Sequence, residues 1–169
     1  MNEKRAAHIR MVVAMTKAGH QDMALTKDKS AYFLRGIIDY ADNGRHANLD
    51  VRWAPSTYQY SKSASVLKHE KSSYQQRSDK SQADTKLHAE HIIPNSLIFK
   101  RLLKMVENKA ADAEIMKFLD TSCRIVVITK KEMQLLDGAG AGLKSSMPDD
   151  WNWGDDPYAR LNHVGIELE

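Results

Sequence analysis

An α+β fold, with a small two-stranded core wrapped by several helices, follows from three features of the 169-residue sequence. Apolar residues recur at helical spacing in several separate stretches. The run Cys123-Arg124-Ile125-Val126-Val127-Ile128-Thr129 has the dense β-branched composition of a buried strand. A shorter stretch around Leu87 to His91, followed by Ile92-Ile93 and Pro94, supplies a partner strand.

Taken in order, residues 3–18 carry Ala6, Ile9, Met11, Val12, Val13 and Met15 at roughly helical spacing, and Gly19 stops the helix. A second helix is expected over 28–42, with Tyr32, Phe33, Ile37, Ile38 and Tyr40 apolar and Asn43-Gly44 closing it. The two would form an N-terminal helical hairpin over 1–44. Residues 45–86 turn polar and read as a loop, rich in serine and glutamine. There Arg45, Arg52, Lys62, Lys68, Lys71, Arg77, Lys80 and Lys86 are interleaved with Trp53, Tyr58, Tyr60 and Tyr74. Cations bind phosphates and aromatic faces stack on bases, so Lys62, Lys68, Lys71, Arg77, Tyr58 and Tyr60 are candidate nucleic-acid contacts.

The third region, 87–169, carries the two strands. Between them, Leu97, Ile98, Leu102, Leu103 and Val106 mark one helix and Ile115, Met116, Phe118 and Leu119 another. Lys130 to Asp137 reads as a helix capped by Thr129 and ended by Gly138. Asp155-Asp156-Pro157 opens a last helix through Arg160 and His163, since acids are favoured at a helix start. All three regions fit within one compact domain at this length.

Composition narrows the partners. The formal charge is +3 and the pI about 8.9, a mildly basic balance that permits a polyanionic partner. One cysteine excludes a disulfide framework and a Cys-ligated zinc site, so no structural zinc is expected, and a reducing cytoplasm is. No apolar run approaches a membrane span, so no membrane partner is expected, and no uninterrupted apolar stretch follows the charges of Met-Asn-Glu-Lys-Arg.

The chemistry concentrates at Glu90-His91-Ile92-Ile93-Pro94, preceded by Leu87-His88-Ala89. A histidine takes a proton from water near neutral pH, and an adjacent carboxylate holds a divalent cation that neutralises phosphate charge. His88 lies two residues before Glu90, so on an extended strand the two share a face and reach one metal or phosphate.

The stretch resembles the first strand of the HNH, or His-Me finger, nucleases, in which an acid or histidine precedes the general-base histidine and Ile/Val-Ile/Val-Pro often follows. Val127-Ile128-Thr129-Lys130-Lys131-Glu132-Met133-Gln134 is similar to the strand-to-helix junction in the HNH domains of CRISPR effector nucleases, where an Asn lies at the place of Gln134 and an acid near Glu132. The resemblance covers residues from about 86 to 137. Here helices separate the strands where the family usually has a loop, and Ile125 stands where the family's loop-propping Asn would fall.

The resemblance implies a divalent-metal-dependent endonuclease, with DNA favoured over RNA. His91 would be the general base, and Mg²⁺ or Mn²⁺ would sit on Glu90 and a helix residue, Glu132 or Gln134, which cannot both serve because they lie about 200° apart on a helix. His88 would assist. Arg160, sharing a helix face with His163, would be directed at the scissile phosphate to stabilise transition-state charge. Two alternatives stand beside it: a nucleic-acid-binding or inhibitory protein on a decayed nuclease scaffold, and a toxin-like RNase using His91 and His88 without metal.

Overall fold

The computed structural model describes residues 3–20, 34, 37, 59–70, 87–138 and 141–169, with the side chains of 68–70 excepted. Leu34 and Ile37 are helical and buried; the rest of the expected 28–42 helix lies outside the described residues. The α+β class is observed, and the chain divides into two units that interleave along the sequence. One takes residues 1–47 and 93–124, the other 48–92 and 125–169. These boundaries cut the chain at different places from the 44/45 and 86/87 divisions expected from composition.

The first unit is helical. Helix α1 (Glu3–Lys17) ends at Gly19, whose φ of +74° suits glycine. It packs against α3 (Asn95–Glu107) and α4 (Asp112–Ser122) through Ile9, Val12 and Val13, with Ile98, Leu102, Ile115 and Leu119 also fully buried. Arg5 is the polar fastener: its guanidinium donates to the Asp120 carboxylate at 2.7 Å, to the Asp120 and Cys123 carbonyls, and to the Ile37 carbonyl. Cys123 is buried as expected but closes α4, two residues short of the strand.

The second unit is built on a sheet of order β1-β3-β2, formed by β1 (Gln59–Tyr60), β2 (Leu87–His91) and β3 (Ile125–Thr129). The expected pairing is present and is antiparallel, from Leu87↔Thr129 to His91↔Ile125. The sheet is nevertheless not two-stranded. All five β3 residues are buried, so its second edge needs a partner for its backbone groups, and β1 lies there in parallel register. That strand and the following helix α2 (Lys62–Glu70) fall in the stretch expected to be loop. The outer edge of β1 is covered in turn: Glu169 N–H donates to the Tyr60 carbonyl at 3.0 Å, and Ser61 bridges Leu168.

Helix α5 (Lys130–Asp137) follows β3 without a linker and packs on β2 and β3. The expected Thr129 cap is present as a full capping box: the Thr129 hydroxyl accepts from Glu132 N–H, and the Glu132 carboxylate accepts from Thr129 N–H at 2.8 Å. The last helix, α6 (Ala159–His163), is only five residues long, because Asp156 caps Tyr158 N–H rather than opening a longer helix.

Candidate active site

Paired residues in a sheet project to the same face, and successive residues to opposite faces. His88 and Glu90 therefore share a face with Ile128, Val126 and, across β3, Gln59. The C-terminal segment is pinned to the two ends of the Gln59–Val126–Glu90 row. The Tyr158 hydroxyl donates to the Gln59 side-chain Oε1 at 2.9 Å, and Arg160 forms an ion pair with Glu90. On the pleat, His91 belongs to the opposite face, with Ala89, Val127 and Tyr60, but it is the last residue of the strand, where the chain turns away.

Three side chains singled out from sequence thus meet at one end of β2, those of His88, Glu90 and Arg160, and His91 joins them through its backbone carbonyl. The Glu90 carboxylate is gripped from both sides, with Oε2 3.1 Å from His88 Nε2 and Oε1 on the Arg160 guanidinium. An ionised carboxylate only accepts, so His88 Nε2 carries the proton of that bond. Burial, with the Arg160 charge adding to it and Asp137 opposing, lowers the His88 pKa below its ordinary 6.5 and keeps the ring neutral at physiological pH. The Nδ1 of His91 is shut off from solvent.

Arg160 departs from its expected role. Its side chain is 1% exposed, and the guanidinium turns inward to the Glu90 carboxylate, the His91 carbonyl at 2.6 Å and the Leu143 carbonyl at 2.7 Å. A guanidinium so enclosed does not face a substrate phosphate. Burial lowers its pKa to about 10, which still leaves it cationic at neutral pH.

The two helix candidates are separated as the helical spacing requires. Glu132 is buried, and its Oε2 accepts from Thr129 N–H, from the Thr129 hydroxyl at 3.0 Å and from the Ser61 hydroxyl at 2.8 Å. That carboxylate holds the helix start to the sheet. Gln134 is exposed, about 200° around the helix from the buried position. The acid of α5 that does act on β2 is Asp137, through its charge on His88; it also pairs with Lys144 at 3.5 Å. A carboxylate closing a predicted helix was the available signal.

Among the nucleic-acid candidates, Tyr60 is 1% exposed and belongs to the core, where an alternating strand position placed it; it offers no face to a base. Lys62 is exposed and pairs with Glu167 at 2.6 Å. Lys68 lies in α2, without a described side chain, and Tyr58, Lys71 and Arg77 fall outside the described residues.

The donors at β2 can be tested against a cation. Two cis ligands each roughly 2.1 Å from one metal ion lie about 3.0 Å apart, close to the 3.1 Å between His88 Nε2 and Glu90 Oε2, although the proton that bridges this contact would have to leave Nε2, with Nδ1 carrying it in the other tautomer, before the ring could ligate. A neutral imidazole and a carboxylate are suitable donors for Mn²⁺, and the carboxylate for Mg²⁺. Among the described residues no group of three or more His, Cys, Asp or Glu side chains is placed to hold a metal, so this pair would be completed by water or substrate oxygens. No helix among the described residues is long and apolar enough to cross a membrane. Comparison of the chain with family models, curated proteins and solved structures returned no match.

Proposed function

We propose that the chain is a divalent-metal-dependent endonuclease hydrolysing phosphodiester bonds of nucleic acid, DNA in preference to RNA, with His91 as general base. The observation that carries this reading is the His88–Glu90 pair at 3.1 Å beside His91, at the end of a strand whose antiparallel partner runs directly into a helix. Glu90 and His88 would hold Mg²⁺ or Mn²⁺, whose chemistry is to neutralise charge on the departing oxygen. His91 accepts the proton of a water through Nε2. In-line displacement needs base and leaving-group stabilisation on opposite sides of the phosphorus, and adjacent residues at a strand end supply two sides. The chain's mild positive charge favours a polyanion, and Lys62 marks one exposed cation of this unit.

The ion pair favours a second reading. Arg160 already neutralises Glu90, as expected of a nucleic-acid-binding or inhibitory protein on a scaffold that no longer cleaves. Incubation with duplex DNA, single-stranded DNA and RNA, with Mg²⁺, Mn²⁺ or EDTA, separates the possibilities. Metal-dependent cleavage lost in His91→Ala is the expected result. Nucleic-acid binding with no cleavage on any substrate overturns the nuclease in favour of the second reading, and RNA cleavage persisting in EDTA replaces the metal with a His91–His88 mechanism.

A further inference from the structure

We infer that Arg160 is the positioning residue of this site, fixing Glu90 and His91 relative to one another and to the C-terminal segment; its effect on turnover rests on the nuclease reading. Leaving a buried charge uncompensated is strongly destabilising, so a guanidinium at 1% exposure needs its charge matched; both terminal nitrogens have acceptors, while Nε is buried with none. Here the acceptors belong to four residues. One arm reaches the Glu90 carboxylate and the His91 carbonyl, the two groups on either side of a single peptide bond. The other reaches the Leu143 carbonyl at 2.7 Å, with the Lys144 carbonyl at 3.4 Å.

Leu143 is itself fixed, since it is buried and its N–H donates to the Leu136 carbonyl at the end of α5. Arg160 therefore ties the terminal residue of β2 to the segment that follows α5. A histidine on the last residue of an edge strand has sheet contacts on one side only, and its carbonyl lies where the chain leaves the ladder. A planar fork with several donors can hold that carbonyl and the neighbouring carboxylate together, whereas an ammonium cannot reproduce the geometry. Misplacing a reacting group by about 1 Å lowers the rate roughly 10²-fold, so rigidity at this peptide bears on the chemistry without Arg160 touching substrate.

The test uses the full chain and the variants Arg160→Lys, Arg160→Gln, Glu90→Gln and Glu90→Gln/Arg160→Gln. Two quantities are read: NMR order parameters of the His91 and Ile92 backbone amides, and kcat and KM for cleavage. Arg160→Lys is expected to lower kcat about 10–100-fold, the range for residues supporting a ligand, with KM near wild type. The His91 amide should fall from the rigid value of about 0.85 toward 0.6 or below. If the single variants fail to fold, the double variant removes both charges, and it should lose order at His91 relative to wild type. Folded Arg160 variants with wild-type order at His91 and Ile92 overturn the inference. So does a kcat loss matched by the fraction unfolded. A wild type that cleaves nothing removes the nuclease reading alone, and the order parameters still decide Arg160.

Discussion

Replacing Glu132 with alanine should destabilise the protein by about 3–5 kcal/mol without touching His88 and Glu90, the proposed metal donors. The magnitude follows from what Oε2 accepts: Thr129 N–H at 2.8 Å, the Thr129 hydroxyl at 3.0 Å and the Ser61 hydroxyl at 2.8 Å. A hydrogen bond to a charged group contributes roughly 1.5–3 kcal/mol and a helix cap about 1 kcal/mol. A straight sum overstates the loss, because the two hydroxyls rotate to other acceptors while the Thr129 N–H cannot. For a chain of this size the change corresponds to a fall in Tm of about 10 °C. Glu132→Gln keeps one acceptor oxygen and should lose about 1–2 kcal/mol. Urea unfolding gives the stability, and Mn²⁺ titration of the folded Glu132→Gln protein gives the affinity, which should stay at the wild-type value. Unchanged stability together with lost Mn²⁺ binding would refute the structural role and return Glu132 to the metal site.

Three further outcomes are expected. His91→Ala should reduce cleavage by about 10²–10⁴-fold while leaving the melting temperature near wild type; single-turnover assays check it, and wild-type turnover removes His91 as the base. Glu90→Ala should raise the Mn²⁺ concentration needed for activity and destabilise the fold by about 3–5 kcal/mol, since it strands the buried Arg160 charge; an unchanged metal titration takes Glu90 out of the site. Stability should fall from pH 9 upward. Burial pushes the Cys123 thiol from 9.0 to about 12, and burial with the Glu169 charge pushes the Tyr60 hydroxyl from 10.0 to about 12. The unfolded chain releases these protons first, so the stabilisation is complete below pH 9 and is lost as pH rises toward 12; Tyr60 alone accounts for about 3 kcal/mol. Denaturant midpoints across that range should flatten in Tyr60→Phe and in Cys123→Ala.

The parts of the fold legible in the sequence are those with a local cause. The β-branched run of β3 and the Thr129 cap declare themselves within a few residues, and α5 and the β2–β3 pairing stand where those signals place them, with β3 starting at Ile125, two residues after the expected start. Strand β1 was hidden because two residues cannot show an alternating pattern; only the burial of β3 on both edges demands it. The same limit applies to side chains. That His88 and Glu90 share a face follows from a spacing of two, but whether Arg160 points at solvent or into the protein depends on acceptors at positions 90, 91, 143 and 144, which no local pattern links. Tyr60 illustrates the converse: its neighbours in sequence, Gln59 and Ser61, are polar, yet its side chain is buried.

The register that sets His91 opposite Ile125 has a consequence for biosynthesis. Residues 92–124 leave the sheet and return to it at adjacent points, and closing a loop of this length costs about 2 kcal/mol more than closing a four-residue hairpin. During translation, at about 5–20 residues per second, β2 waits roughly 2–7 s for β3 to be made. An unpaired apolar strand would be exposed to mispairing throughout that interval. With His88, Glu90 and His91 among its five residues, β2 carries the polar side chains that discourage edge-to-edge association, so the groups of the candidate site also keep the nascent strand from aggregating until its partner arrives.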